Sequence, residues 1–319
     1  MTLSTPTGPA IEVVGLTKAY GDQVVLDGLD LTVPRGTVSA LLGPNGAGKT
    51  TTVQILSTLL PPDGGLVRVL GHDLLGEPDA VRAGIGVTGQ FSAVDDLLTG
   101  AENLTLMGDL HHLSRGERSR RTTELVEQLD LADVVGRPAS TLSGGTRRRL
   151  DLAMTLIGRP RLIFLDEPTT GLDPRSRRVV WGIVRELVAS GVTVFLTTQY
   201  LEEADQLADR VAVLDGGRLV AEGTPAELKR RVPGGSIRLR FADATTLDTA
   251  APVFPDSVRD DRELTLSVPG DGHVSSLRGV LDRLDLAAVG VADLSVHTPD
   301  LDDVFLALTG QREQEGTLR

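Results

Sequence analysis

Two clusters of residues in this chain have the types and spacing to handle a polyphosphate. The first is Gly43-Pro44-Asn45-Gly46-Ala47-Gly48-Lys49-Thr50, which fits G-x-x-x-x-G-K-[ST] at every position. Glycines let backbone N–H groups turn inward on phosphate oxygens, and a helix opening here adds the partial positive charge of its N-terminus. Lys49 is placed to reach the terminal phosphates, the Thr50 hydroxyl suits a Mg²⁺ ligand, and Thr51 completes the expected binding set. The second cluster is Leu162-Ile163-Phe164-Leu165-Asp166-Glu167, an apolar run ending in paired carboxylates. A buried strand would bring Asp166 to the Mg²⁺ shell opposite Thr50. Glu167 would then project beside the γ-phosphate and orient or deprotonate an attacking water.

Both clusters need rigid elements behind them. Val38–Leu42 directly precedes the glycine-rich loop, and a helix is expected from Lys49 through Leu56. Further strands are read at Ile85–Thr88, 162–165, 192–197 and 211–214. Runs that are apolar from end to end suggest strands covered on both faces, as in a mostly parallel α/β sheet. Between 91 and 160 the strand signal fades. Leu104, Leu106, Leu110, Leu113, Leu125, Val126 and Leu129 recur at roughly helical spacing, which predicts a helical insertion. Asp215-Gly216-Gly217 reads as a hairpin turn. Composition changes at Val232-Pro233-Gly234-Gly235, a linker candidate. Beyond it the pattern predicts strands at 237–241 and 264–268, a helix at Val274–Leu286, a strand at 289–296 and a helix at 301–308. That order fits a small α+β domain.

Composition narrows the function classes. The 319 residues carry a net charge of −12, which disfavours a protein whose main work is gripping nucleic acid. The basic runs 118–121, 147–149 and 229–231 read as solvated helix faces. With no cysteine, disulfides and thiolate metal sites are excluded. The first ten residues lack the pattern of a secretory signal, and no apolar run approaches the roughly 18 residues that cross a bilayer. A soluble, cytosolic chain is expected.

The next motifs say which kind of P-loop NTPase this resembles. Leu142-Ser143-Gly144-Gly145 opens another helix between the cradle and the acidic strand end, and resembles the signature of ABC transporter ATPases. Bare backbone donors at a helix start again face an anion. The resemblance covers roughly residues 11–230. It implies an α/β P-loop fold of the ABC ATPase type (10–231) with a helical subdomain at about 91–160. The small C-terminal α+β domain would span 236–310, with a tail at 311–319.

The resemblance also implies the remaining roles. Tyr20 lies where the family places an aromatic against adenine, and Gln90 matches the glutamine that touches Mg²⁺ and links the site to the helical insertion. Ser143, Gly144 and Gly145 would cap the γ-phosphate of ATP held by the opposite subunit. Gly171-Leu172-Asp173 matches the loop that crosses to that subunit. Two positions depart from the pattern: Thr146 stands where the family has glutamine, and Gln199 where it has the switch histidine. Glutamine keeps a hydrogen-bond donor but carries no charge. Hydrolysis is expected to survive because Glu167 is present; the alternative is a subunit that binds ATP and turns it over poorly.

The segments 199–205 and 301–310 are similar to a narrower group, the ATP-binding subunits of daunorubicin/doxorubicin-resistance-type exporters of actinobacteria. That likeness implies ATP and Mg²⁺, a second ATP-binding subunit, and an integral-membrane permease docking near 92–103. The chain would sit on the cytoplasmic side of the plasma membrane. Other readings are an exporter subunit for envelope lipids, a soluble ABC ATPase acting on nucleic acid or the ribosome, and a non-enzymatic assembly subunit.

Overall fold

The computed structural model describes residues 8–89, 93–231, 235–270, 273–297 and 299–316, with side chains through 308. The chain divides into two compact units, 1–225 and 226–319.

The strands of the first unit are β1 (Ile11–Tyr20), β2 (Gln23–Val33), β3 (Val38–Leu42), β4 (Gly64–Val69), β5 (His72–Asp73), β6 (Ile85–Thr88), β7 (Leu162–Asp166), β8 (Thr193–Thr198), β9 (Arg210–Asp215) and β10 (Arg218–Gly223). Its helices are α1 (Lys49–Leu56), α2 (Pro78–Arg82), α3 (Gly100–Leu110), α4 (Arg115–Gln128), α5 (Gly144–Leu156), α6 (Pro174–Ala189) and α7 (Leu201–Leu207), with α8 (Pro225–Lys229) at the junction.

A six-stranded sheet runs in the order β10-β9-β3-β8-β7-β6. All its pairings are parallel except the edge pair β10·β9. Strands β3, β7 and β8 are buried at every residue, as two-sided cover requires. The edge pair is a hairpin closed by Gly216 (φ 54°) and Gly217 (φ 77°), the left-handed pair that suits the twist of a tight two-residue turn. A second, antiparallel sheet has the order β2-β1-β4-β5. Between the sheets lies one core that holds Leu16, Leu29, Leu41, Val53, Phe164 and Phe195. The rings of Phe164 and Phe195, on adjacent strands, meet edge to face at 5.9 Å.

Helices α3, α4 and α5 fill the stretch where the strand signal fades. Thr99 with Glu102, and Ser114 with Glu117, form reciprocal capping boxes that start α3 and α4. The leucine spacing is only partly a core pattern: Leu104, Leu125 and Leu129 are buried, whereas Leu106 and Leu110 face solvent.

The second unit contains β11 (Ser236–Arg240), α9 (Ala244–Ala250), β12 (Val258–Asp260), β13 (Thr265–Pro269), α10 (Val274–Leu286), β14 (Asp293–His297) and α11 (Leu301–Gly316). It is a β-α-β-β-α-β unit with the antiparallel order β12-β13-β11-β14. Ile237, Leu239, Leu247, Phe254, Leu266 and Leu284 lie in its core.

Several elements differ from the sequence expectation, among them three of this unit. Helix α9 escapes the pattern because only Leu247 and Ala250 are buried in it, although its Asp243 cap is formed. Strand β12 is exposed throughout and so has no alternation to detect. Strand β14 begins at Asp293 rather than 289, because Ala288 and Val289 still donate to the carbonyls of Asp285 and Leu284 at the end of α10. Of the linker candidate, Val232, Pro233 and Gly234 fall outside the described residues.

Candidate functional site

The glycine-rich loop leaves the C-terminal end of β3, the strand flanked by β8 and β9, and turns directly into α1. The fold allows little else at its glycines. A Cβ on Gly43 would collide with the Leu214 carbonyl, and one on Gly48 (φ 105°) would stand 2.7 Å from Leu26 Cδ2. Gly48 caps α1 without any side-chain hydrogen bond, so the first turn offers bare N–H donors. Pro44, Asn45, Gly46 and Ala47 form the bend, and Thr50 presents an exposed hydroxyl beside half-buried Thr51.

Lys49 is buried, and its Nζ donates to the carbonyls of Gly43 (2.8 Å) and Pro44 (3.0 Å). Burial lowers the affinity of this ammonium for its proton, and the nearby Glu167 and Asp166 carboxylates oppose that shift. Lys49 Nζ lies 3.7 Å from Glu167 Oε1. The two sequence clusters therefore meet.

Asp166 ends β7 with 3% of its surface exposed and accepts a hydrogen bond from the Thr197 hydroxyl, its register partner on β8. Glu167 follows in the left-handed region (φ 49°). Its N–H donates to the Thr197 carbonyl at 3.0 Å, and its Oε2 accepts from the Thr170 hydroxyl at 3.2 Å. Thr197 and Thr170 are site residues that sequence reasoning missed. Thr170 stands three residues after Glu167, a spacing a closer reading can use. Thr197 is contributed by a neighbouring strand and leaves no local signal.

Gln199 lies immediately after β8 and is half-buried. Tyr20, at the end of β1, is 48% exposed, with Lys18 Nζ 5.8 Å from its ring centre. Gln90 lies outside the described residues.

Ser143 caps α5, accepting from the Thr146 N–H at 3.3 Å, and its hydroxyl lies 2.9 Å from that of Thr146. Gly145 is held close to α6, where a Cβ would collide with the Ser176 hydroxyl; at Gly144 it would meet only Leu172 Cδ2, at 3.9 Å. Asp173 caps α6 through the N–H groups of Arg175 and Ser176 and accepts from the Ser176 hydroxyl at 2.6 Å. These bonds, the Ser176 hydroxyl first, hold its carboxyl below the ordinary range. Ser143, Gly145, Asp173 and Ser176 share the wall of an open cleft of about 290 Å³. Glu167 lines another of about 220 Å³ with Gly144, Thr170 and Gly171.

The residues present fit a nucleotide with a divalent cation. Uncapped helix donors and a buried ammonium suit phosphate, and the buried carboxylate of Asp166 suits a hard cation. Among the described residues no group of three or more His, Cys, Asp or Glu side chains could hold a metal ion.

The comparisons with known proteins agree with this chemistry. The family described as ABC transporter matches residues 26–170. The chain is 52% identical to the daunorubicin resistance ATP-binding protein DrrA3 of Streptomyces coeruleorubidus, over 94% of this chain and 96% of that protein. It is 50% identical to the daunorubicin/doxorubicin resistance ATP-binding protein DrrA of Streptomyces peucetius, over 97% and 94% respectively. Among solved structures, one described as an ATP-binding subunit of an ABC transporter superposes with a TM-score of 0.63 at 29% identity, over 70% of this chain and 92% of that one.

Proposed function

This chain belongs to the ATP-binding subunits of ABC transporters, and from that premise we propose that it drives export of daunorubicin-like hydrophobic drugs through a separate membrane-embedded permease. It is a nucleotide-binding ATPase. The export reading is supported by likeness over nearly the whole chain to relatives named for daunorubicin and doxorubicin resistance.

One observation carries the mechanism: Lys49 Nζ stands 3.7 Å from Glu167 Oε1. A buried ammonium at that place binds the terminal phosphates in company with the α1 N-terminus. The same charge lies beside the carboxylate that orients or deprotonates the attacking water. Thr50 and Asp166 are the residues that would hold Mg²⁺ together with Gln90, and the ion supplies charge neutralisation on the phosphates. Tyr20 offers its exposed ring to adenine. Gln199 donates a hydrogen bond toward the γ-phosphate in place of a histidine.

Ser143, Gly144 and Gly145 act on the nucleotide of a second ATP-binding subunit, and Asp173 lies on the loop that crosses to it. The cleft walls that they line support this reading. ATP then joins two subunits, and loss of the γ-phosphate removes the contact that holds them. The permease docks on the stretch after Gln90, near 92–103, where Leu97 is 92% exposed. That docking holds the chain to the cytoplasmic face of the plasma membrane. The C-terminal unit serves assembly or regulation.

The test is the joint complex in lipid vesicles. Daunorubicin is expected to raise ATPase activity and to be moved in an ATP-dependent way, and Lys49→Ala is expected to retain no nucleotide. An active ATPase complex indifferent to daunorubicin, with no movement of the drug, overturns the export reading. Unimpaired ATP retention by Lys49→Ala overturns the cradle assignment.

A further inference from the structure

Helix α5 carries more than the Ser143 end. Arg148, one turn further on, is a long side chain with only 10% of its surface exposed. Its Nε donates to the carbonyl of Pro168, the residue directly after Glu167, at 2.8 Å. Its Nη1 donates to the Gly89 carbonyl at 3.1 Å and to Asp151 Oδ2 at 3.2 Å. Asp151, 3% exposed and one turn along the same helix, accepts from the Ala93 N–H at 3.1 Å through its other oxygen. Gly89 and Ala93 are the described residues on either side of Gln90–Ser92. Arg147 continues the series, donating to the Val94 carbonyl at 3.0 Å and pairing with Asp96. One buried guanidinium thus touches the chain before Gln90 and the chain after Glu167 at the same time.

We propose that Arg148, braced by Asp151, is the positioning residue that conveys engagement of the permease near Gln90 to the carboxylate of Glu167. It touches neither the nucleotide cradle nor Glu167 itself, so its action is through the backbone at Pro168. This inference rests on the reading that the permease docks on the stretch after Gln90.

The chemistry requires arginine. A planar fork donates to several carbonyls at fixed angles, whereas an ammonium on a flexible stem is a point charge. Solvation alone does not explain so buried a cation. Burial pulls its proton affinity down, and the nearby carboxylates of Asp151 and Glu203 oppose that. Glu203 is itself fully buried and accepts from the Thr169 hydroxyl (2.9 Å) and the Trp181 indole N–H (3.1 Å), so it ties the segment after Pro168 to α6. Among the described residues, Arg148 Nη2 is buried without a hydrogen-bond partner. An unused buried donor is costly, and here it leaves the guanidinium spare hydrogen-bonding capacity.

The test compares wild-type chain, Arg148→Gln and Arg148→Lys, each alone and with the permease in vesicles, reading kcat, the KM for ATP and thermal stability. Arg148→Lys keeps the buried charge between Asp151 and Glu203, so it folds, but one ammonium cannot span the Pro168 and Gly89 carbonyls. Both variants are expected to lose stimulation by the permease, the kcat ratio falling toward one, with KM for ATP little changed. Misplacing a catalytic group by about 1 Å can cost about 10²-fold, so kcat in the complex is expected to fall by up to that factor. Variants stimulated as strongly as wild type overturn the proposal. So does a loss that follows thermal stability while the stimulation ratio holds. A wild-type chain that the permease does not stimulate removes the docking reading and this proposal together, so the two failures are told apart.

Discussion

Glu167 adopts φ 49°, a region that a non-glycine residue enters at a cost of about 1–3 kcal/mol. The surroundings hold it there: its N–H is fixed on the Thr197 carbonyl, and its carboxylate lies between Thr170 and Lys49. This placement, with a cation at its side chain, is consistent with the proposed role of Glu167 on a phosphate. Glu167→Gln is therefore expected to lower turnover by about 10²–10⁴-fold while ATP is still retained, measured by steady-state phosphate release and nucleotide trapping. Near-normal release would rule Glu167 out as the base. In the proposed mechanism Gln199 bears on the same chemistry. Gln199→His is expected to preserve or raise turnover, and a collapse would mean that the surroundings are fitted to glutamine.

Helices α5 and α6 approach closely at Gly145, where the Ser176 hydroxyl occupies the space of a side chain and is itself held by Asp173. A methyl at 145 must displace Ser176 and loosen the α6 cap. Gly145→Ala is thus expected to cost about 1–3 kcal/mol by overpacking, seen as a lower denaturation midpoint. Gly144 has open space, since an added Cβ would meet only Leu172 at 3.9 Å. Gly144→Ala is expected to leave the midpoint unchanged and to reduce turnover, because its N–H faces another subunit's nucleotide in the proposed arrangement. Equal turnover in Gly144→Ala and wild type would count against that arrangement.

Ser143 and Asp173 share an open cleft wall, while Lys49 is buried with half-buried Glu167 beside it. A single copy thus presents its signature residues outward. Glu167→Gln with Mg-ATP is expected to form dimers that separate when ATP is removed, followed by sedimentation. A monomer that retains ATP under those conditions would dismiss the two-subunit sandwich. Permease docking would use the stretch 92–103 with its exposed Leu97, whose chemistry differs from the polar cleft walls.

The sequence by itself determined what is local. The cradle from Gly43 to Thr50, the α1 bounds, strands β3 and β6, and the Asp215-Gly216-Gly217 turn could be read directly, because spacing, burial pattern and turn chemistry act over a few residues. Helix α9 and strand β12 were not legible, since a short threonine-rich helix and an exposed edge strand carry no apolar period. The meeting of Lys49 with Glu167, the grip of Thr197 on Asp166 and the contacts of Arg148 with Gly89 and Pro168 were decided only by tertiary structure. Each joins residues distant in sequence, and parallel strand pairing and helix packing bring them together without leaving any spacing for a sequence to show.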